Sequence, residues 1–380
     1  MKRTLVLLLA LALCLPLVAC NNTPTPPPAT NPPATTAAPT TAPPPPAETF
    51  DLALITDIGT IDDKSFNQGS WEGLLQYAQE HNITHKYYQP SEQSDDAYLS
   101  TIELAIKGGA KVIVTPGFLF EVPIYVAQDL HPDTHFILVD GSPHNDSYSD
   151  FTIRDTVVGI HYAEEEAGFL AGYAAVMDGN RALGFMGGMA VPAVVRFGYG
   201  FVQGAEYAAQ ELGLGDGSIR INYHYTGGFN ASPEIQAMSA SWYNDGLDVI
   251  FGCGGAVGNS VMAAAEGAGK KVIGVDVDQS IESPTVITSA MKGLKASVYS
   301  AIKDYYAGKF PGGTSQIFSA ANDGVGLPMA TSKFDTFSKA DYDAIYAKLV
   351  AKSVTILDDA AIGEKAADIP VKAVVLSVFE

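Results

Sequence analysis

From Phe50 onward the chain alternates short apolar runs with longer amphipathic segments, a succession that reads as strands and helices. Phe50–Ile55 is mostly apolar and free of Gly and Pro, the pattern of a strand buried on both faces. It ends where Asp57 and Gly59 turn the backbone. Phe66–His81 follows at near-helical period through Phe66, Trp71, Leu74, Leu75 and Ala78, with Asp62 or Asp63 placed to cap it. Strands are expected at His85–Tyr88, Lys111–Val114 and Phe136–Val139, with helices over Ala97–Lys107 and Pro123–Leu130 between them. Phe151–Arg154 reads as a further strand and His161–Met177 as a long helix.

Then the pattern restarts. Strands at Ala182–Met186, Ile219–Tyr225, Val249–Phe251, Lys271–Val275 and Val286–Ser289 alternate with helices over Arg196–Leu212, Pro233–Asn244, Val261–Ala268 and Gly293–Ala307. A β-α-β-α order argues a parallel, doubly wound sheet, and right-handed crossovers set the strand ends along one edge. Two such halves in sequence predict an α/β protein of two doubly wound parallel-sheet lobes with a ligand cleft between them. The expected division is 48–156 plus about 286–318 for the amino-terminal lobe, and about 157–285 plus about 319–380 for the carboxyl-terminal one. A helix at Asp341–Val350 and an apolar, strand-like run at Val371–Val378 carry no lobe assignment.

The first 47 residues bear on where the protein works. Lys2 and Arg3 precede the apolar run Leu5–Val18, which Pro16 breaks; it is too short for a spanning helix and reads as a secretory signal. Leu17-Val18-Ala19-Cys20 resembles the bacterial lipoprotein cleavage box, which implies a signal peptide over 1–20 and a lipidated Cys20; plain secretion is the alternative. A diacylated cysteine holds a protein at a membrane without any chain crossing it. Residues 21–47 consist of Asn, Thr, Pro and Ala, with no charge and no aromatic ring. Such a segment is expected to be a disordered tether, extending roughly 3 Å per residue.

Composition narrows the partners. With 380 residues, 47% hydrophobic and 17% charged, the chain has room for two domains and a large core. Its 22 basic and 42 acidic residues give a formal charge of −20, which disfavours a nucleic-acid partner. Of three cysteines only Cys20 and Cys253 lie beyond the leader, so a disulfide scaffold is excluded.

In an open parallel sheet the loops at the carboxyl ends of strands line the ligand crevice. Here they supply Asp57, Phe66, Asn67, Asp140, Phe229, Asn230, Asn259, Asp276, Asp278 and Lys292. Asp57, Phe66 and Asn67 combine an acceptor, a flat apolar face and an amide, a set suited to a planar polar ligand such as a base or a sugar. The alternative is that Asp57 caps a turn and Phe66 is ordinary core. Asp276 reads as an acceptor for ligand hydroxyls, or as a cap. Enzyme machinery is not legible: there is no metal-spaced His cluster, no Gly-x-Ser-x-Gly elbow and no Walker loop, and Gly252–Gly258 does not keep the dinucleotide order. Cys253 has no base near it in sequence and reads as a small buried thiol. Neither a metal nor a cofactor is expected. A nucleoside hydrolase or phosphorylase would need an acidic metal cluster or a phosphate loop. A transcription regulator would open on a helix-turn-helix, where this chain has a leader and tether.

Several stretches, in order, resemble the basic membrane protein family of ABC-transporter substrate-binding lipoproteins. They are Asp57-x-Gly-x-x-Asp62-Asp63-x-Ser65-Phe66-Asn67, Glu164–Gly172, Gly184–Met189, Gly258-Asn259 and Gly274-Val275-Asp276-x-Asp278-Gln279, and the likeness runs roughly from Phe50 to Leu327. The resemblance implies a type I periplasmic-binding-protein fold. It further implies that Phe66 stacks on a base whose edge Asp57, Asn67 and Asp140 bind, while Asp276 and Lys292 hold ribose hydroxyls. Phe229 is the expected second stacking ring, with Phe197 in reserve, and Met189 and Asn259 of the matched motifs join the ligand-binding set. The chain departs from the family pattern at Val195, where a second Arg is usual, and at Ala256-Val257. The implied protein is a monomeric receptor, not an enzyme, anchored outside the cell membrane. It captures a nucleoside, a purine being favoured, by hinge closure and delivers it to an ABC permease. The alternatives are a sugar or another small polar solute, or a signalling receptor without transport.

Overall fold

A computed structural model describes Thr49–Phe379 apart from Glu364. The expected signal peptide, lipidated Cys20 and tether lie outside the described residues. In chain order the elements are β1 (Leu52–Ile55), α1 (Phe66–His81), β2 (His85–Tyr88), α2 (Asp95–Lys107), β3 (Val112–Pro116), α3 (Glu121–Leu130), β4 (His135–Val139), β5 (Val157–Tyr162) and α4 (Glu164–Met177). They continue with β6 (Ala182–Gly187), α5 (Pro192–Glu211), β7 (Ile219–Tyr225), α6 (Pro233–Asn244), β8 (Val249–Cys253), α7 (Val257–Ala268), β9 (Lys271–Asp276), β10 (Val286–Lys292) and α8 (Leu294–Tyr306). Last come β11 (Thr314–Phe318), β12 (Val325–Gly326), α9 (Lys339–Val350), α10 (Asp359–Ile362) and β13 (Val374–Phe379).

The strands form two sheets, one per lobe, as expected of two doubly wound halves. The first has the order β11-β5-β4-β3-β1-β2 and the second β12-β10-β9-β8-β6-β7-β13. All pairings of the first sheet are parallel. In the second, β12 runs antiparallel against β10 and the other strands are parallel. The central strands are buried along their whole length, which is why they read as unbroken apolar runs.

Several expectations need correction. Phe151–Arg154 is not a strand: Arg154 closes a turn against α3, its guanidinium 2.8 Å from Asp129, and the strand begins at Val157. The Val157-Val158 pair and Ile160 favour extended backbone, so the following helix starts at Glu164 rather than His161. Strand β5, expected to open the second lobe, pairs with β4 in the first sheet, while β10, expected in the first lobe, pairs with β9 in the second. The chain crosses between lobes at the strand-to-helix junctions Ala163 and Gly293 and again over 319–324; periodicity reveals a strand but not its neighbour. Helix α5 starts four residues before Arg196, with Pro192 in its first turn, where the missing N–H costs nothing. The carboxyl-terminal run becomes β13, on the edge of the second sheet beside β7.

The crossing segments are bound to one another. Ala163 N–H donates to Phe318 O at 2.8 Å, Gly293 N–H to Gly324 O at 2.8 Å, and Ala320 N–H to a Glu166 carboxylate oxygen at 2.7 Å. Helices α4 and α5 pack backbone to backbone. A Cβ placed on Gly168 or Gly172 would lie 2.1 or 2.0 Å from the carbonyl oxygens of Phe197 and Phe201. One on Gly200 or Gly204 would lie 2.0 Å from those of Glu165 and Phe169. Only glycine permits that approach, so the Glu164–Gly172 motif is in large part a packing signature. Among the described residues no helix is long and apolar enough to cross a membrane.

Candidate ligand-binding site

The first wall of the cleft is built where the chain leaves β1. Asp57 is buried, and its Oδ1 accepts from Gly59 N–H at 2.7 Å and from Asn67 Nδ2 at 3.0 Å. Of the two candidate caps, Asp63 is the one that caps α1. It accepts from the N–H groups of Ser65, Asn67 and Gln68 at 2.8, 2.9 and 3.1 Å, and from Asn67 Nδ2 at 3.1 Å. The Asn67 amide nitrogen is thus held between two carboxylates, and its Oδ1 is buried without a hydrogen-bond partner. Burial pushes the carboxyl pKa values of Asp57 and Asp63 up, and these hydrogen bonds pull back against it.

The floor is a buried ion cluster at the junction of the lobes. Asp140 follows β4 and Asp276 ends β9, with φ of 60° and 67°, a left-handed turn that aspartate tolerates better than most residues. Between them the Lys292 side chain, at the end of β10, is 2% exposed. Its ammonium donates to Asp140 Oδ2 and stands 3.5 Å from Glu164 Oε1 and 3.7 Å from Asp276 Oδ1. It also lies 4.6 Å from the centre of the Phe66 ring and 5.4 Å from that of Phe197, within cation–π range. Burial works to lower the lysine pKa, but Asp140, Asp276 and Glu164 together raise it, so Lys292 carries its charge. Burial raises Asp276 to about 6, against the opposing pull of Lys292 and the Ser65 hydroxyl, and raises Glu164 to about 7. Arg196 completes the cluster, reaching Glu164 and Asp359 at 3.0 Å each.

The second wall is apolar. Phe229, in the loop after β7, packs over Gly188 and Gly254, where added Cβ atoms would come within 2.6 and 3.3 Å of the ring. Phe197 on α5 meets Phe251 edge-on at 6.0 Å. Cys253 ends β8 with its thiol buried and its pKa pushed well up by desolvation, the opposite of an activated nucleophile. The walls enclose about 880 Å³ of space, solvent at the mouth included, within the range of small-molecule sites.

Asp57, Phe66, Asn67, Asp140, Phe197, Phe229, Asp276 and Lys292 all line this one cavity. Met189 and Asn259 do not. The Met189 carbonyl accepts from Val191 N–H, turning the chain so that Val191 forms the wall, and Asn259 sits within α7 while Gly254, Gly255 and Ala256 face the space. Asp140, expected with Asp57 and Asn67 on the edge of a base, is tied through Oδ2 to Lys292, and its Oδ1 is buried without a hydrogen-bond partner. Sequence reading left out the roles of Ser65, Glu164 and Arg196. Two of them lie within the matched motifs, but the Ser65–Asp276 bond spans 211 residues and the Arg196–Glu164 pair 32, separations that no local pattern carries. Among the described residues no group of His, Cys, Asp or Glu is placed to hold a metal ion.

Residues 50–360 match the family described as ABC transporter substrate-binding protein, PnrA-like. A relative from Lactococcus lactis, the ABC transporter nucleoside-binding protein BmpA, is 30% identical over 79% of this chain and 88% of its own. Basic membrane protein D of Borreliella burgdorferi is 28% identical over 82% and 87%. Among solved structures, an ABC-transporter solute-binding protein from Aeropyrum pernix superposes with a TM-score of 0.71 at 22% identity, covering 81% of this chain and 93% of that one. A second, from Conexibacter woesei, gives 0.64 at 20% identity over 82% and 99%. These structures share the fold: two parallel-sheet lobes of the type I periplasmic-binding kind. Proteins of such families are extracytoplasmic, membrane-associated and bind rather than catalyse. The chain belongs to the PnrA-like, or Bmp, family of ABC-transporter substrate-binding proteins.

Proposed function

We propose that this protein captures nucleosides, purine nucleosides foremost, outside the cell membrane and hands them to an ABC permease, held at the lipid by Cys20. One observation carries the reading: aromatic rings from both lobes, Phe66 and Phe229, line a cavity whose floor is the Asp140–Lys292–Asp276 cluster. A base between the rings gains roughly 1–3 kcal/mol by stacking, by analogy with single-strand binders. Its edge meets Asp57 and Asn67, while the ribose hydroxyls bind Asp276, Lys292 and the unpartnered Asp140 Oδ1. A ligand without those hydroxyls leaves desolvated charges unpaired, which makes the sugar part of recognition. The nucleoside-binding description of the Lactococcus lactis relative supports the same ligand class.

Titration calorimetry with nucleosides, free bases and ribose tests the reading. At least one nucleoside is expected to bind tightly and the free bases and ribose weakly; ribose binding as well as any nucleoside would replace it with a sugar receptor. Anchoring is tested by fractionation, in which Cys20→Ala is expected to release the protein from membranes and continued retention would contradict lipidation at that residue.

A further inference from the structure

Among the described residues the two sheets end in the edge strands β2, β11, β12 and β13, and three of these are blunted against further pairing. Strand β12 is two residues long, β11 opens on Thr314, Ser315 and Gln316, and β2 carries the exposed Lys86. Natural sheets guard their edges with such short, polar or lysine-bearing strands. Strand β13 has no such guard. Val374–Phe379 reads VVLSVF, without charge or proline, and Val375, Val378 and Phe379 are 52%, 46% and 42% exposed.

The ladder fixes which backbone groups of β13 are free. Ile219 N–H donates to Ala373 O at 2.9 Å, and in a parallel pair every second residue then faces the neighbouring strand. Val375, Ser377 and Phe379 turn their N–H and C=O groups to β7, while Val374, Leu376 and Val378 turn theirs outward. Val374 keeps to this phase, since its N–H goes to a Glu206 carboxylate oxygen at 3.0 Å. The outward N–H groups of Leu376 and Val378 meet no other strand of the described residues.

We infer that β13 is a self-association surface, pairing antiparallel with β13 of a second copy about a two-fold axis at Leu376, in place of the monomer that the family resemblance implies. That register satisfies the free donors. Each Leu376 donates to and accepts from Leu376 of the other copy, and each Val378 N–H meets the Val374 carbonyl across the axis. Side chains oppose as Leu376 with Leu376 and Val374 with Val378, so no charge is buried or set against its like. A foreign strand would have to bring the same uncharged apolar edge, which a second copy already carries. Copies held at one membrane, as proposed above, also meet at a raised effective concentration. No residue of β13 lines the ligand cavity, so pairing leaves the cleft free.

Oxidative cross-linking of the full chain in its own membrane tests this. Leu376→Cys sets two thiols on directly opposed residues, whose Cα atoms in such a pair stand about 5.5 Å apart, within disulfide reach. Val378→Cys is more exposed but lies four residues from its own counterpart, roughly 13 Å away and out of reach. A band of twice the chain mass is expected with Leu376→Cys and little or none with Val378→Cys. Absence of that band, equal yields from the two variants, or a cross-link to a protein of another mass would each overturn the inference. Val378→Pro removes an outward N–H that β7 does not use. In sedimentation of the detergent-solubilised protein it is expected to halve the mass found for the native chain, and an unchanged mass would contradict the pairing. Should that variant fail to fold, the two cysteine variants decide alone.

Discussion

Lys292 is the residue on which the cavity floor depends. Its ammonium is surrounded by Asp140, Glu164 and Asp276, all nearly out of water. Removing one partner of a buried ion pair costs far more than the pair contributes, because the charges left behind are neither solvated nor matched. Lys292→Met is therefore expected to lose about 3–5 kcal/mol of stability in denaturant unfolding, together with ligand binding; a variant as stable as the native protein would contradict the assigned role. Asp276 gives a pH signature. Its pKa in the ligand-free fold is about 6, above the ordinary carboxylate value, under the combined influence of burial, Lys292, Ser65, Asp140 and Asp63. Ionising it costs the free fold stability as pH rises from the ordinary range toward 6. Ligand hydroxyls donate to the ionised form, so binding lowers the pKa and releases a proton. Affinity is expected to climb as pH rises through about 6 and then to level off. Asp276→Asn removes that component and is expected to flatten the rise centred near pH 6. Affinity that falls between about pH 5 and 7 in the native protein would reverse the sign and defeat the assignment.

At the scale of elements, the crossing of α4 and α5 carries a sharp expectation. Gly172→Ala would drive a methyl group to 2.0 Å from the Phe201 carbonyl oxygen, and the helices must part to admit it. A loss near the top of the usual 1–3 kcal/mol overpacking range, about 3 kcal/mol, is expected in thermal or denaturant unfolding. Gly267→Ala, on the exposed face of α7 with open space around it, is expected to be neutral or to gain up to about 1 kcal/mol. Equal effects of the two would show that backbone proximity is not what these glycines provide. The same elements mark what the sequence discloses. Strands β1, β3, β4 and β8 are unbroken apolar runs and were legible, as was the helical period of α1. Strand β11 was not, because it is an edge strand whose five residues are exposed or half-buried, so no burial pattern is imprinted on Thr314–Phe318. The two-residue β12 is too short to leave a period at all.

For the whole molecule, the strand ends pointed to the site, and eight of the ten proposed ligand residues share one cavity. What stayed hidden was long-range: which sheet receives β5 and β10, and which side chains meet across the cleft. The lobes touch through the Ser65 hydroxyl on Asp276 at 2.5 Å and through Gln279 Nε2 on the Lys64 carbonyl at 2.7 Å. Those contacts are buried where the lobes meet, so a bound nucleoside is expected to hold the lobes together about the crossing segments, and its absence to free them. Small-angle scattering is expected to show the radius of gyration falling when ligand is added; no change on saturation would argue for a cleft that does not move. The most direct measurement is a crystal structure of the protein with a bound nucleoside. The predicted result is a base between Phe66 and Phe229, its edge on Asp57 and Asn67, and the ribose hydroxyls on Asp276 and Lys292. A nucleoside seated elsewhere, or held with neither ring against its base, would contradict the account.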